Sequence, residues 1–529
     1  MKTSGVAAAT AAGASTINWT RSAKAITSPW GDVVATDTEI FAPPGFTVVE
    51  LQRPLLTMSD GLRVPQRADG MCVYETDTDY ILMRNHEVDD SFVSGAYPQG
   101  ETPPDSSMLW GDNSYGGVAK VVVDKGNLLV KESFMVQLGT RRNCAGGPTP
   151  WGWVTCEENL NFTAENGAGR ENDEVRHGYN FLCNHEATGL EAPDVKKSLG
   201  RFNHEAIAID TSTNIIYETE DEANGCFYRH VPTDMSDPWT GQLQALRIVG
   251  QDGRDTVNVK TGEKFAIEWV DAPFTDPDSN SNPIRTACID LGAASFYRGE
   301  GCWFHDGICY FACTGGLFGN EGGQVFAVYT DGAGMEILEC VAQSADWDGI
   351  DNITVDPWAK VWVCEDGAGG EQWVRYLDED GNIVDFLRNE TGDEFAGACF
   401  SQDGTTLFVN IQGSTGKTYA IRGPFVDEFG PVPGQDPGGD GDGDGDGDGD
   451  GTGGSASGTD GGDATAGDAT AGEDGTGSGG AGASDDGGGC AVDDDTSPAA
   501  VAAAVAVGLG VTAMTRTTRS AETDESDAE

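Results

Sequence analysis

Four apolar runs of this sequence end in acids and amides: Asn85-His86-Glu87, Glu157-Glu158, Glu220-Asp221 and Glu365-Asp366. Each polar end follows residues such as Trp, Val, Ile and Cys rather than a charged surface stretch. Side chains alternate along a strand with a period of two, so such runs read as strands that release polar groups at their tips. If several tips converge, the carboxylates repel one another strongly unless cations sit between them. Hard cations such as Ca2+ take six to eight oxygen ligands from carboxylates and amides. The pattern points to a centre holding several metal ions. A solvated acidic face is the competing reading, and the apolar neighbours argue against it. With only six His in the chain, a His-rich zinc site and a histidine phosphatase are disfavoured.

The elements that must position these groups are short β runs separated by Asp-Gly and Gly-rich turns, with no long helical periodicity. One pattern recurs: an apolar alternation, a turn, then a second apolar strand ending in polar groups. Residues 353–366, 398–412, 204–221 and 303–312 are four copies; 151–158 and 80–87 add two at looser spacing. The turns at Asp306, Asp356 and Asp403 lie 50 and 47 residues apart, and Asp210 precedes Asp306 by 96, about two periods. Six such copies predict an all-β fold, a six-bladed β-propeller with insertions. A β-sandwich is the alternative, but a sandwich has no reason to repeat. In a propeller the innermost strands line a central channel, so the tips meet at one mouth.

Charge and composition narrow the function. The 529 residues carry 31 Lys plus Arg against 87 Asp plus Glu, a net charge of −56. Residues 426–529 hold 24 acids and two bases, which leaves the globular part at −34. Nucleic-acid binding through a basic patch is excluded, because phosphate backbones need clustered positive charge. So acidic a surface, with 11 Lys against 20 Arg, suits a protein kept hydrated in concentrated salt and reads as halophilic. The 13 cysteines are scattered singly, many within apolar runs, and read as small buried hydrophobes rather than a disulfide framework.

Four segments are expected. Residues 1–27 resemble the part of a twin-arginine (Tat) export signal that follows the arginines, or a disordered arm. Residues 28–425 form the propeller. Residues 426–489 are a disordered acidic Gly/Asp linker, having almost nothing apolar to bury. Residues 490–529 begin at Cys490 and contain an apolar stretch, Ala499 to Met514, followed by Arg516 and Arg519. Sixteen residues fall short of the roughly 20 needed to span a bilayer, yet the order resembles prokaryotic surface-sorting signals. The expected location is extracytoplasmic, secreted or anchored at the cell surface through the C-terminus, and a monomer is expected.

The most specific stretch is Asn143-Cys144-Ala-Gly-Gly-Pro-Thr-Pro-Trp-Gly-Trp-Val-Thr-Cys-Glu157-Glu158-Asn159. It resembles the signature of the PhoX-type alkaline phosphatases. Arg84-Asn85-His86-Glu87, Gly200-Arg-Phe-Asn-His204-Glu205, Tyr297-Arg298-Gly-Glu300-Gly, Asp351-Asn352 and Leu407–Gln412 follow that family's order, so the resemblance covers about residues 28–425. It implies a propeller whose mouth holds two Fe3+ and three Ca2+ around a bridging oxo group. It implies hydrolysis of small phosphomonoesters outside the cytoplasm after folded export. Residue by residue, Cys144 matches an iron-binding thiolate, and Glu158, Glu205 and Glu300 match metal-holding carboxylates. Arg298 matches the phosphate clamp, and Asp351 a further metal-binding aspartate. Asn85, Glu87, Asp221, Glu365 and Asp366 join the metal set on strand-tip geometry alone. His86 and His204 are expected to be structural hydrogen-bonders.

The chemistry fits these assignments. Metals polarise P–O bonds and create a nucleophilic oxygen at ambient pH. A planar guanidinium suits a phosphoryl group in the transition state. A lone thiolate among carboxylates favours iron over calcium. Gly-Gly-Pro after Cys144-Ala, and Trp153, depart from the main pattern and shift the spacing to Glu158; this marks a shorter branch, in which diester preference or low activity stays open. Two other functions are open. One is another calcium-dependent hydrolase, a phosphodiesterase or a lactonase, of which the lactonase would leave Cys144 and Arg298 idle; the other is a calcium-stabilised surface propeller, which would show no turnover.

Overall fold

The recurring strand pairs are the inner halves of six blades. The computed structural model describes residues 25–88, 94–97, 104–160, 175–277, 282–315, 322–330, 336–367 and 370–435. Blade one is Ala68–Glu75, Asp79–His86, Gly116–Asp124 and Val130–Thr140. Blade two is Asn143–Thr149, Gly152–Glu157 and Asn180–Cys183. Blade three is His204–Asp210, Ile215–Glu220, Phe227–Asp234 and Asp237–Ile248. Blade four is Gly299–His305, Ile308–Cys313, Gly323–Tyr329 and Glu336–Ser344. Blade five is Ile350–Val355, Val361–Glu365, Gln372–Leu377 and Ile383–Asn389. Blade six is Phe395–Phe400, Thr406–Ile411 and Thr418–Arg422, completed by Thr47–Gln52 from the other end of the domain.

Each blade is an antiparallel meander, and the first strands of successive blades pack side by side in a closed ring, blade six against blade one. The turns at Asp210, Asp306, Asp356 and Asp403 join first to second strands, as the repeat predicts. An inserted strand, Lys264–Asp271, bridges the outer edges of blades three and four. The ordered domain exceeds the predicted 28–425. Ala25–Thr27 pairs in parallel with Ile383–Asn389, and the helix Phe425–Phe429 packs with Trp30 and Phe46 against the cluster shared by blades five and six. The described residues continue past that helix to Gln435.

Every blade interface has its own apolar cluster. Met71, Leu82 and Phe408 join blades six and one; Met83, Val118 and Trp153 join one and two; Cys156, Ile207 and Ile216 join two and three. Phe227, Phe311 and Phe326 join three and four, and Val325, Ile353 and Val363 join four and five. Alternation along each strand feeds both faces of a blade into such layers, which is why the strands read as nearly continuous apolar runs. The twelve described cysteines are all buried and free, as small hydrophobes would be. No helix among the described residues is long and apolar enough to cross a membrane. The export-like start, the linker beyond Gln435, Cys490 and the apolar stretch at 499–514 lie outside the described residues.

Candidate active site

The first strand of every blade carries the same irregularity at its start. In blade one Ala68 pairs with His86, and the next pair is Met71 with Arg84, so two residues face one. The same step follows Asn143, His204, Gly299, Ile350 and Ala396 in the other blades. Such a bulge re-aims a side chain. The first bulged residues are Asp69, Cys144, Glu205, Glu300, Asp351 and Gly397. The second are Gly70, Ala145, Ala206, Gly301, Asn352 and Ala398, which together line one narrow axial cavity. All but Asn352 are small because six backbones meet there: a Cβ on Gly301 would lie 2.4 Å from the Ile353 nitrogen, and one on Gly70 2.5 Å from Ala145 Cα.

Two further tiers surround this ring. The residue just past each second strand is Glu87, Glu158, Asp221, Thr314, Asp366 or Gln412. Its backbone N–H donates to the carbonyl of a corner residue before the first strand: Arg67 (2.9 Å), Arg142 (3.0 Å), Asn203 (3.1 Å), Arg298 (3.1 Å), Gly349 (2.6 Å) and Glu394 (2.9 Å). The mouth is thus built from three positions per blade.

Strand alternation sorts the predicted residues. Cys144, Glu158, Glu205, Glu300 and Asp351, with Glu87, Asp221 and Asp366, occupy the ring and the second tier. Glu365 is not brought to the mouth. It lies one residue earlier, on the opposite face, where its carboxylate accepts from Arg375 (2.7 Å). Glu157 and Glu220 share that face: Glu157 accepts from His177 (2.7 Å) and Glu220 from Arg285 (2.8 Å). Asn85 is on the inner face but beneath the ring, and its amide is committed. It donates to the carbonyls of Cys144 (3.0 Å) and Ala145 (2.6 Å) and accepts from Trp153 (2.7 Å). Asn85 positions Cys144. Asn410 does the same for Asp69 (2.6 Å to its carbonyl) and Thr219 for Glu300 (2.6 Å). His86 bonds Arg84 and the Gln66 carbonyl, and His204 lies against Phe202 and Glu218, so both are structural.

Two acids were missed. Asp69 is a ring residue, 2 % exposed, and Glu394 is a corner residue. Both sit in turn-like sequence, Arg-Ala-Asp-Gly and Thr-Gly-Asp-Glu. Aligning the start of each first strand with the tip of its second would have found them.

The acids are close. Single oxygens of Glu205, Glu300 and Asp351 lie within 4.8 Å of one another, as do those of Asp351, Asp366 and Glu394. Asp351 belongs to both groups. Burial, and then mutual charge, pushes the carboxyls of Asp69, Glu205 and Glu300 well above the usual range. Glu394 is raised for the same reasons, and Asp351 is pushed up to about 7 by burial and Asp366. Burial and the Glu205 charge raise the Cys144 thiol, whose sulfur lies 3.2 Å from the His204 carbonyl. Glu158 is also raised by burial, although Arg142 at 2.5 Å opposes the shift.

The fork of Arg298 stands over this group. Arg298 donates to both oxygens of Asp221 at 2.8 Å and lies 3.1 Å from Glu300. Its side chain is about a third exposed, and its backbone is left-handed at φ 55°.

A six-bladed propeller with an acidic, thiol-bearing mouth and a guanidinium at its rim has the make-up of a metal-dependent hydrolase of phosphate esters. Residues 125–415, more than half of the chain, match the family model described as alkaline phosphatase PhoX. The chain belongs to the PhoX alkaline phosphatase family and is a phosphatase. Among solved structures it is similar to PhoX from Pseudomonas fluorescens in complex with vanadate, a transition-state analogue. That match has a TM-score of 0.56 at 19 % identity, over 78 % of this chain and 99 % of that one, and bears on the fold. A gluconolactonase from Xanthomonas campestris aligns at a TM-score of 0.37 and 11 % identity, over 72 % of this chain and 99 % of that one, a score that carries no argument. No curated protein matches the chain.

Proposed function

We propose that this chain hydrolyses small organic phosphomonoesters outside the cytoplasm, at a multinuclear iron and calcium centre in the propeller mouth. The observation that carries the proposal is the ring itself: three buried carboxylates, the half-buried Asp351 and a thiol on one axis, with Arg298 at its rim. The residues fit a group of cations. Asp69 Oδ1 and Asp351 Oδ1 are buried without a hydrogen-bond partner. So many raised carboxyls are neutral unless positive charge replaces their protons. Cys144 is the one soft ligand and would favour iron; the oxygen-only group Asp351, Asp366 and Glu394 would favour calcium. Glu158, Glu205, Glu300, Asp69, Glu87 and Asp221 complete the donor set. Bound cations would supply neutralisation of the phosphoryl charge and activation of an oxygen nucleophile.

The chain's own residues do the rest. Arg298 binds the phosphoryl oxygens through its planar fork, which Asp221 and Glu300 hold in orientation. Asn85, Thr219 and Asn410 fix the bulge carbonyls and so the aim of Cys144, Glu300 and Asp69. The bulge places each ligand on the axis without a loop that could relax away from it.

The test is elemental analysis of the purified chain beside an assay on p-nitrophenyl phosphate. We expect bound iron and calcium, turnover lost on chelation and restored by calcium, and iron lost in Cys144→Ser. Calcium without iron and without turnover would leave a calcium-stabilised propeller as the better account. The location is supported by the acidic charge, the export-like start and the spacer. Fractionating cells with and without residues 490–529 tests it, and unchanged membrane association refutes the anchor.

A further inference from the structure

Three of the six corner positions are arginines, and all three have left-handed backbone: Arg67 (φ 52°), Arg142 (φ 46°) and Arg298 (φ 55°). That conformation is unfavourable for a residue with a side chain and persists where the surroundings impose it, often at functional sites. Arg142 repeats much of the setting of Arg298, although its bond to the preceding blade's acid is single rather than bidentate and its own-blade acid, Glu158, lies in the second tier rather than the ring. The Arg298 N–H donates to the carbonyl of Glu222, next to Asp221 of the preceding blade (2.9 Å). The Arg142 N–H donates to the carbonyl of Val88, next to Glu87 of its preceding blade (3.0 Å). Arg298 Nε donates to Asp221 (2.8 Å) and Arg142 Nε to Glu87 (3.1 Å). Each then meets an acid of its own blade through Nη2, Glu300 at 3.1 Å and Glu158 at 2.5 Å. The two side chains are 36 % and 38 % exposed. Among the described residues, neither Nη1 has an acid partner. Arg67 repeats the pattern only loosely, 3.6 Å from Glu87 and more than half exposed.

Glu158 and Asp221 both lie just past a second strand in the tier around the ring, so both arginine–acid pairs border one mouth. Where bound cations do not neutralise its acids, that mouth repels any anion not met by a fixed positive charge. Arg298 answers the phosphoryl group, and the fold supplies a second fork of the same build two blades away. The geometry assigns to Arg142 a second anion-recognition role: it receives an acidic substituent on the leaving group of the ester whose phosphoryl group Arg298 holds. This rests on the phosphatase reading above. The substrate class is a phosphomonoester whose alcohol carries a further anionic group, a carboxylate or a second phosphate. Arg142 is then a specificity-determining residue, distinct from the phosphoryl clamp.

Non-hydrolysable ligands test this without turnover. Benzylphosphonate and 4-carboxybenzylphosphonate are titrated by calorimetry into the full metal-loaded chain and its Arg142→Gln, Arg142→Lys and Arg298→Gln variants. The wild type is expected to bind the carboxylated ligand at least tenfold more tightly. Arg142→Gln should bring the two affinities within threefold of each other, and Arg298→Gln should weaken both ligands by tenfold or more. A wild type with no preference, or an Arg142→Gln variant that weakens both ligands equally, overturns the assignment and leaves Arg142 as a counter-charge for Glu87 and Glu158. If Arg298→Gln changes neither affinity while Arg142→Gln removes the preference, the phosphoryl clamp is the part that fails. If Arg142→Gln loses its metals, Arg142→Lys decides. Its point charge lacks the fork, so the preference should fall at least threefold, and an unchanged preference overturns the assignment.

Discussion

Arg298 combines a functional claim with a backbone claim, and two substitutions separate them. Arg298→Ala and Arg298→Gly both remove the fork. A charge-assisted hydrogen bond contributes about 1.5–3 kcal/mol. Two of them to the phosphoryl oxygens, at a side chain about a third exposed, give about 3–4 kcal/mol at the lower end of that range. At about 1.4 kcal/mol per factor of ten, both variants should lose about 100- to 1000-fold in kcat/KM for p-nitrophenyl phosphate. Their stabilities should differ. The φ of 55° strains Ala but not Gly, a difference of roughly 1–2 kcal/mol, from which the extra freedom of unfolded Gly subtracts about 0.5–1 kcal/mol. Arg298→Gly should therefore unfold about 1 kcal/mol later in urea than Arg298→Ala. Both should be less stable than the parent without metal, because Asp221 and Glu300 lose their counter-charge. Steady-state kinetics and urea unfolding in calcium measure the two quantities. A variant that keeps kcat/KM within threefold would refute the clamp, and an Ala variant more stable than Gly would refute the strain argument.

Two other outcomes follow from the axis. Gly301→Ala puts a Cβ 2.4 Å from backbone, so it should lower stability by about 1–3 kcal/mol through overpacking and release metal; an unchanged melting temperature and metal content would show that the channel can widen. The metal-free protein should lose stability as pH rises from 5 to 8. Folded carboxyls raised above their unfolded values stabilise the fold below the unfolded pKa and lose that contribution as pH passes the folded one, about 7 for Asp351, raised mainly by burial. Calcium should restore the melting temperature at pH 8 more than at pH 5, and a melting temperature of chelated protein that climbs from pH 5 to 8 contradicts the ring electrostatics.

Four of the second strands were legible because each is a solvent-poor run that stops at an acid, and a stop is a sequence signal; those of blades four and six, which stop at Thr314 and Gln412, were found by the spacing of their turns. That gave the six blades and most of the second tier. Glu365 shows the limit: one position along a strand exchanges the two faces, and adjacent acids do not announce which one points inward. Asp69 and Glu394 were hidden for another reason. A bulge is a relation between two strands, and neither Ala-Asp-Gly nor Gly-Asp-Glu differs locally from a turn. Arg142 was passed over because it lies beside Asn143 and Cys144, whose signature drew the reading. The strand Thr47–Gln52 could not be assigned to blade six from sequence, since its partner lies beyond residue 417.

That last pairing ties catalysis to completed synthesis. Blade six needs residues from both ends of the domain, and its Gln412 side chain donates to Asp69 of blade one at 2.6 Å. A nascent chain holding five blades already contains the thiol and most of the acids, yet they remain an open arc. The acids of blades three to five can already meet at that stage, but Glu394 of blade six joins Asp351 and Asp366 only when the final strands emerge and zip to the first. The second acidic group is therefore a property of the finished ring.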